Sequence, residues 1–354
     1  MSGMGIPTAY PIERFRQGKG PVLDVRSPGE FSKGHWPGAI NLPLFTDEQR
    51  ASIGTAYKQQ GRRQAIQLGL KATGPKLDRL AEAMHQITKD VNEGEQQSSQ
   101  DLRLYCWRGG MRSASMAWLA DLIDLKPLLL EGGYKAYRNW VLQQFELPWP
   151  IRLLGGRTGT GKTDLLKSLA EKGVAVVDLE GLAHHRGSSF GGLGQPPQPS
   201  SEHYENRLAE ALQRSKANAA KEIWLEAESS LVGCCRLPRG LFQQMQTAPV
   251  LEICRSLEER VAQLVDVYSE NGIEPLKEAT LRISRRLGPQ RTRQALEALD
   301  LEQWDQACIA MLDYYDRCYD HELARTPERQ SVDISGLQAT QAAERLFEQG
   351  LIRP

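Results

Sequence analysis

Cys106 opens the run CWRGGMRS (106–113), directly after the apolar stretch Leu102–Tyr105 and before ASMAWLADLI. A cysteine where a predicted strand gives way to a predicted helix is placed for nucleophilic work. Gly109 and Gly110 let the loop's N–H groups turn toward one bound anion, and the helix N-terminus with Arg108 and Arg112 favours thiolate over thiol. The Cys-x5-Arg-Ser spacing suits two chemistries. One is attack on phosphorus; the other is carriage of a sulfur or selenium atom on the cysteine. A buried structural cysteine is the plain alternative, and two glycines and two arginines in one loop weigh against it.

A second loop carries phosphate chemistry. GGRTGTGKT (155–163) contains Gly156-x4-Gly161-Lys162-Thr163, follows IRLL and opens DLLKSLAEKG. Gly156, Gly159 and Gly161 allow the backbone to curl so that N–H groups face an anion at a helix N-terminus. Lys162 would meet the outer phosphates, and Thr163 could ligate Mg²⁺. The pattern implies phosphate binding, not hydrolysis. Asp178 ends VAVVD, and Glu226 and Glu228 follow EIWL, at the C-terminal ends of predicted parallel strands where catalytic carboxylates or metal ligands sit. A solvated strand-end carboxylate is the alternative for each. Arg255 and Arg260 flank a helix start and could clamp a phosphate or form surface ion pairs.

The elements that position these loops divide at FELPWP (145–150), giving expected domains over 1–145 and 146–354. Before the boundary, PVLDV and LRLYC read as strands, with helical stretches from Gln64 to about Ile87 and from Ser113 to about Leu125. After it, IRLLGG, VAVVDLE, EIWLEAE, PVLEICR and SVDIS alternate with helical patterns, as in a parallel sheet covered on both faces. Residues 256–323 read as helical with a break at LGPQ; 88–101 and 186–202 read as loops.

The chain has 354 residues, of which 40% are hydrophobic and 25% charged, with 44 basic against 44 acidic side chains. Zero net charge gives no global case for nucleic acid, so that case rests on local patches. No stretch approaches the ~20 apolar residues of a membrane span, and the N-terminal MSGMGIPTAYPIERF lacks a secretory core. Six cysteines without zinc spacing fit a reducing cytoplasm. The basic patches are Arg282, Arg285, Arg286, Arg291 and Arg293 in LRISRRLGPQRTRQAL, and Lys58, Arg62 and Arg63 in YKQQGRR. Either could neutralise RNA phosphates or be a solvated helix face. Trp107 and Trp36 could stack on an unpaired base or pack in the core. His184 and His185 read as loop or substrate contacts.

LDVRSPGEFSKGHWPGAINLP (23–43) resembles the N-terminal signature of rhodanese domains, through Asp24, Arg26, Glu30, Phe31, Gly34-His35 and Pro37–Asn41, with YCWRGGMRS as the second element. The active loop is longer than in ordinary sulfurtransferases and leaves room for a larger atom or a tetrahedral group. In that likeness Asp24 and Arg26 brace the loop. GTAYKQQGRRQAIQLG (54–69), LEGGYKAYR (130–138), GGRTGTGKT and DLEGLAHHRGSSFGGLGQPPQPSSEHYENRLA (178–209) extend the resemblance over nearly the whole chain to the bacterial tRNA 2-selenouridine synthases. WLEAESSLVG (224–233) departs slightly from that family's commoner SRxIG.

The resemblance implies a rhodanese-like α/β domain followed by a P-loop NTPase-like, parallel-sheet α/β domain with a helical C-terminal part. It implies a transferase that alkylates the wobble 2-thiouridine of tRNA with geranyl diphosphate, then replaces the S-geranyl group with selenium from selenophosphate. The P-loop would grip the diphosphate through Gly161, Lys162 and Thr163. Cys106 would carry selenium as a perselenide or assist its transfer. The loop around Phe190 is a candidate for the geranyl channel, and an enzyme supplying selenophosphate is an expected partner. The alternatives are a cysteine phosphatase fused to a small-molecule kinase, and a rhodanese-regulated NTPase.

Overall fold

The computed structural model describes residues 8–95, 99–217, 220–323 and 328–353. The chain divides into two compact units, Met1–Gln144 and Phe145–Pro354.

In the first unit, strands β1 (Ala9–Tyr10), β2 (Val22–Asp24), β3 (Ile40–Asn41), β4 (Asp101–Tyr105) and β5 (Lys126–Leu130) form a parallel sheet in the order β1-β5-β4-β2-β3. Parallel pairing demands crossovers. These run through helices α1 (Ile12–Gln17), α2 (Pro28–Lys33), α3 (Asp47–Gln59), α4 (Arg62–Thr73), α5 (Leu77–Glu95) and α6 (Met111–Leu122), and α7 (Gly133–Gln144) follows the last strand. Leu23, Leu102 and Leu104 of the central strands pack against Met84 of α5 and Met116 and Ala117 of α6. Because β4 stops at Tyr105, Cys106 stands at the C-terminal edge of a central strand, and α6 begins five residues on.

Three features of this unit differ from expectation. The helical stretch from Gln64 to Ile87 is two helices. Pro75 cannot donate to a helical ladder, and one 3-10 turn, Gly74–Lys76, separates α4 from α5. The 88–101 stretch is helical as far as Glu95, because α5 keeps Leu80, Met84 and Ile87 on its core face and turns its polar residues outward. Residues 96–98 lie outside the described residues, as do 1–7 of the N-terminal stretch. Helix α3 was not expected, although its start carries a signal. Thr46 Oγ1 accepts from Gln49 N (3.3 Å) while Gln49 Oε1 accepts from Thr46 N (3.1 Å), the reciprocal capping box.

In the second unit, β6 (Ile151–Gly155), β7 (Ile223–Glu226), β10 (Val250–Cys254) and β11 (Arg329–Asp333) form a parallel sheet in the order β11-β10-β6-β7; β8 (Leu231–Val232) and β9 (Cys235–Arg236) make a small hairpin. Its helices are α8 (Lys162–Glu171), α9 (Leu179–Ala183), α10 (Ser201–Ala217), α11 (Arg239–Thr247), α12 (Leu257–Tyr268), α13 (Ile273–Arg282), α14 (Ser284–Leu287), α15 (Pro289–Asp300), α16 (Trp304–Leu323) and α17 (Ala339–Glu348). VAVVDLE is not a full strand: only Val176 bridges to Trp224 of β7. The turn at Gly173 precedes it and the Asp178 helix cap follows at once, so little length is left to pair. The helical region breaks at LGPQ, with Gly288 at φ +88° and Pro289 starting α15. Helices α13 to α16 enclose their own apolar core, which includes Phe190 from the 186–202 loop.

Candidate active site: a phosphate cleft and a cysteine loop

The phosphate loop runs from β6 into α8. Gly159 sits at φ +85°, and a Cβ there would stand 2.6 Å from the Arg260 carbonyl oxygen, so only glycine fits. Gly161, at φ +78°, caps α8. Arg255 and Arg260 do not serve as phosphate clamps or as surface ion pairs alone. Arg260 is 4% exposed; its Nε donates to the Thr158 carbonyl (2.9 Å) and its two amino nitrogens to Asp316 (2.5 and 3.0 Å). Arg255 Nε donates to the Thr160 carbonyl (3.0 Å) while its amino groups hold Glu259 and the Leu337 carbonyl. Two guanidinium groups therefore grip the loop's carbonyls from behind, which leaves the loop's N–H side to the cleft.

Inside the cleft, Lys162 Nζ donates to the Gly156 carbonyl (2.8 Å) and Thr163 Oγ1 donates to Glu180 Oε2 (2.8 Å). Glu180 is buried, and burial pushes its carboxyl above the ordinary glutamate range although Lys162 pulls the other way. Sequence reasoning missed Glu180. The three carboxylates it named separate. Asp178 caps α9, accepting from Gly181 N (2.6 Å). Glu226 is fully buried and accepts from Leu179 N (2.8 Å), which anchors α9 from below. Burial, and then the charges of Asp178 and Glu180, push the Glu226 carboxyl well up. Glu228 lines the cleft with Gly156, Gly159, Gly161, Lys162, Thr163 and Glu180. The signal for Glu180 was the Asp178 cap itself, which starts a helix and turns the next carboxylate toward Thr163.

The cleft has a volume of about 510 Å³. An apolar slot of about 50 Å³ adjoins it, lined by Phe190, Met311 and Cys308 among others. Thr158, Ser188, Leu264, Tyr268 and Tyr315 line both. The arginine cluster also separates. Arg286 lines the cleft, Arg282 donates to the Ser189 carbonyl (3.3 Å), Arg291 is ion-paired with Asp313, and Arg285 and Arg293 are exposed. His184 bonds through its ring nitrogens to the Pro197 carbonyl and Arg207 (2.9 Å each), and burial lowers the pKa of His185. Among the described residues, no group of three or more His, Cys, Asp or Glu side chains is arranged to hold a metal ion.

In the cysteine loop, Cys106 is buried, and Ser113 Oγ donates to its Sγ (3.2 Å). The start of α7 clasps the loop: Tyr134 N donates to the Cys106 carbonyl (2.8 Å) and Lys135 N to that of Trp107 (3.0 Å). Glycine is required on both sides. A Cβ on Gly133 would lie 2.3 Å from the Cys106 oxygen, and one on Gly109 2.8 Å from the Leu130 oxygen. Arg26 and Asp24 are buried and bonded bidentately (Nη2 to Oδ2 2.6 Å, Nε to Oδ1 3.0 Å), and the guanidinium lies 3.7 Å over the Tyr134 ring. The pair thus supports the residue that holds Cys106 without reaching the sulfur. Arg112 is tied to Glu30 (2.6 Å), whereas Arg108 is exposed and Gly110 caps α6. Trp107 is 36% exposed beside the cysteine. Trp36 is a core residue, stacked on Tyr137 (4.3 Å) and edge-on to Phe15 (5.5 Å), so it is no base platform. Lys58 and Arg62 are exposed at the tip of the α3–α4 hairpin.

These features define a rhodanese-like domain followed by a P-loop domain. Residues 12–139 match the rhodanese-like domain model, and 149–346 match the model of the tRNA 2-selenouridine synthase AAA domain. The chain is similar to a tRNA 2-selenouridine synthase of Bordetella petrii, 38% identical over 87% of this chain and 88% of that one. One of Marinobacter nauticus is 38% identical over 86% and 89%, and one of Hahella chejuensis 36% identical over 92% and 91%. The chain belongs to the tRNA 2-selenouridine synthase family. No helix among the described residues is long and apolar enough to cross a membrane.

Proposed function

We propose that this chain converts the wobble 2-thiouridine of tRNA to 2-selenouridine in two steps. In the first, the thiocarbonyl sulfur attacks C1 of geranyl diphosphate. The C–O bond breaks, diphosphate leaves with the electron pair, and the base loses its N3 proton. The P-loop N–H groups, Lys162 and α8 would take up the charge on the departing diphosphate, the main catalytic contribution. Thr163, Glu180 and Glu228 offer the hard oxygen donors that Mg²⁺ prefers, and the ion would supply further charge neutralisation there.

In the second step the Cys106 thiolate, hydrogen-bonded by Ser113, attacks the phosphorus of selenophosphate. The P–Se bond breaks with its pair on selenium, and water hydrolyses the resulting S-phosphocysteine to thiol and phosphate. The freed hydrogen selenide adds at C2 of the alkylated base. The C2–S bond then breaks, geranylthiolate leaves and takes a proton from water, and the Se–H proton passes to N3. Alkylation makes chemical sense as the opening move, because it turns a poor leaving group into a thiolate.

The observation that carries this reading is the slot beside the phosphate loop. Its walls are apolar (Phe190, Val265, Leu276, Leu299, Trp304 and Met311), so it offers a hydrocarbon surface beside the phosphate cleft and suits the branched end of a prenyl chain lying along Leu264 and Tyr268. The test is mass spectrometry of tRNA nucleosides after incubation with geranyl diphosphate and then selenophosphate. Lys162→Ala should abolish the S-geranyl nucleoside. Cys106→Ala should accumulate it and block selenium entry. Selenouridine formed at full rate by Cys106→Ala would refute the role given to the cysteine.

A further inference from the structure

The first unit holds a groove of about 980 Å³ between α3, α4 and α6 that the scheme above leaves unused. Tyr57, Leu70, Met111 and Trp118 line it and are 56, 66, 49 and 44% exposed, with Phe45 and Ile53 beneath. Single exposed apolar side chains are ordinary, but four large ones from three helices lining one groove mark a binding surface. The groove begins at the cysteine loop, since Met111 and Arg112 end that loop and also line the groove. Arg50, Lys58 and Arg112 line it too, among the apolar side chains; Arg50 and Arg112 share Glu30 (3.4 and 2.6 Å), which leaves a net positive wall, with Lys58 exposed, to complement a polyanion.

We infer that this groove receives the prenyl chain of S-alkylated tRNA while selenium enters at Cys106. The inference rests on the two-step reading. The chain of the alkylated base is the one hydrocarbon in that reaction, and it must lie close to the loop where C2 is attacked. An apolar trough running from the loop, with cations among its walls for the RNA backbone, accepts both parts of that substrate. It also gives the departing geranylthiolate an apolar surface to occupy, and it lets the enzyme tell alkylated tRNA from its 2-thiouridine precursor.

The experiment uses the full chain and a synthetic anticodon stem-loop bearing either S-geranyl-2-thiouridine or 2-thiouridine at the wobble position. Wild type should bind the alkylated RNA at least tenfold more tightly. Ser115→Trp, which fills the groove from an exposed site on α6, and Leu70→Asp, which makes it polar at another exposed site, should each cut the preference to within twofold. Each should slow selenium entry from the ready-made alkylated RNA about tenfold and leave alkylation of the 2-thiouridine RNA within twofold. Should one variant fail to fold, the other decides. Cys308→Phe, which fills the slot beside Phe190, should keep the preference. A preference absent from wild type, retained by the folded groove variants, or lost in Cys308→Phe overturns the inference. Failure of the two-step reading would look different: wild type would form no S-geranyl nucleoside from geranyl diphosphate, whatever the stem-loops show.

Discussion

Thr163 Oγ1 and Glu180 Oε2 are joined by a 2.8 Å hydrogen bond across 17 positions of sequence. That contact brings a buried carboxylate to the first turn of α8, beside Lys162. Glu180→Gln keeps the shape and removes the charge. Alkylation of 2-thiouridine tRNA should fall about 10- to 100-fold, the usual cost of losing a group that orients a metal or phosphate ligand, and its Mg²⁺ dependence should change. Measuring S-geranyl nucleoside formation against Mg²⁺ concentration checks this, and a wild-type curve would remove Glu180 from the site.

Glu226 gives a pH dependence of stability. Its carboxyl titrates above the ordinary range because it is buried beside Asp178 and Glu180. A folded-state pKa raised above the unfolded value means that the native state binds more protons, so stability falls as pH rises from the unfolded value through the folded one. Glu226→Gln can still accept from Leu179 N and cannot ionise. Its Tm should exceed that of wild type at pH 8 and approach it near pH 4.5, where a change of about 1 kcal/mol corresponds to roughly 2–4 °C for a unit of this size. Parallel melting curves for both proteins across that range would contradict the assignment.

Arg260→Met removes one partner of a partly buried, bidentate pair with Asp316 and releases the Thr158 carbonyl. A loss of about 1–3 kcal/mol is expected, read as a lower denaturant midpoint. The variant's KM for geranyl diphosphate should rise as well, because the loop's curvature depends on that grip. A destabilised variant with unchanged KM would show that the loop keeps its shape without Arg260.

Gly133→Ala would force a Cβ to 2.3 Å from the Cys106 oxygen at a φ of +59°. The cysteine loop must move, so selenium entry should drop by at least tenfold while S-geranyl tRNA accumulates. Nucleoside analysis of the two stages separates this outcome from general unfolding, which would lower both.

The two loops were legible because their chemistry needs contiguous residues. Gly156 to Thr163 and Cys106 to Ser113 each run from the end of a strand into the first turn of a helix, in the order their motifs require. Carboxylate roles were harder to read, because they depend on where a short segment stops pairing. VAVVD has a strand's composition, yet Asp178 ends it as a helix cap, and this puts Glu180 rather than Asp178 against Thr163. Arg255 and Arg260 were ambiguous for a different reason. A guanidinium that binds carbonyls looks the same in sequence as one that binds phosphate. Trp36 and Trp107 illustrate the same limit, since only tertiary packing decides that one stacks on Tyr137 and the other stays open.

The hold of Arg255 and Arg260 on the phosphate loop bears on how the protein can be dissected. Both arginines come from beyond β10, and their anchors include Asp316 and Leu337, near the far end of the chain. A truncation that keeps the motif and discards the last hundred residues would therefore leave the glycine-rich turn unsupported. Anyone seeking a minimal fragment that keeps the phosphate loop in shape must carry the C-terminal helices along with it.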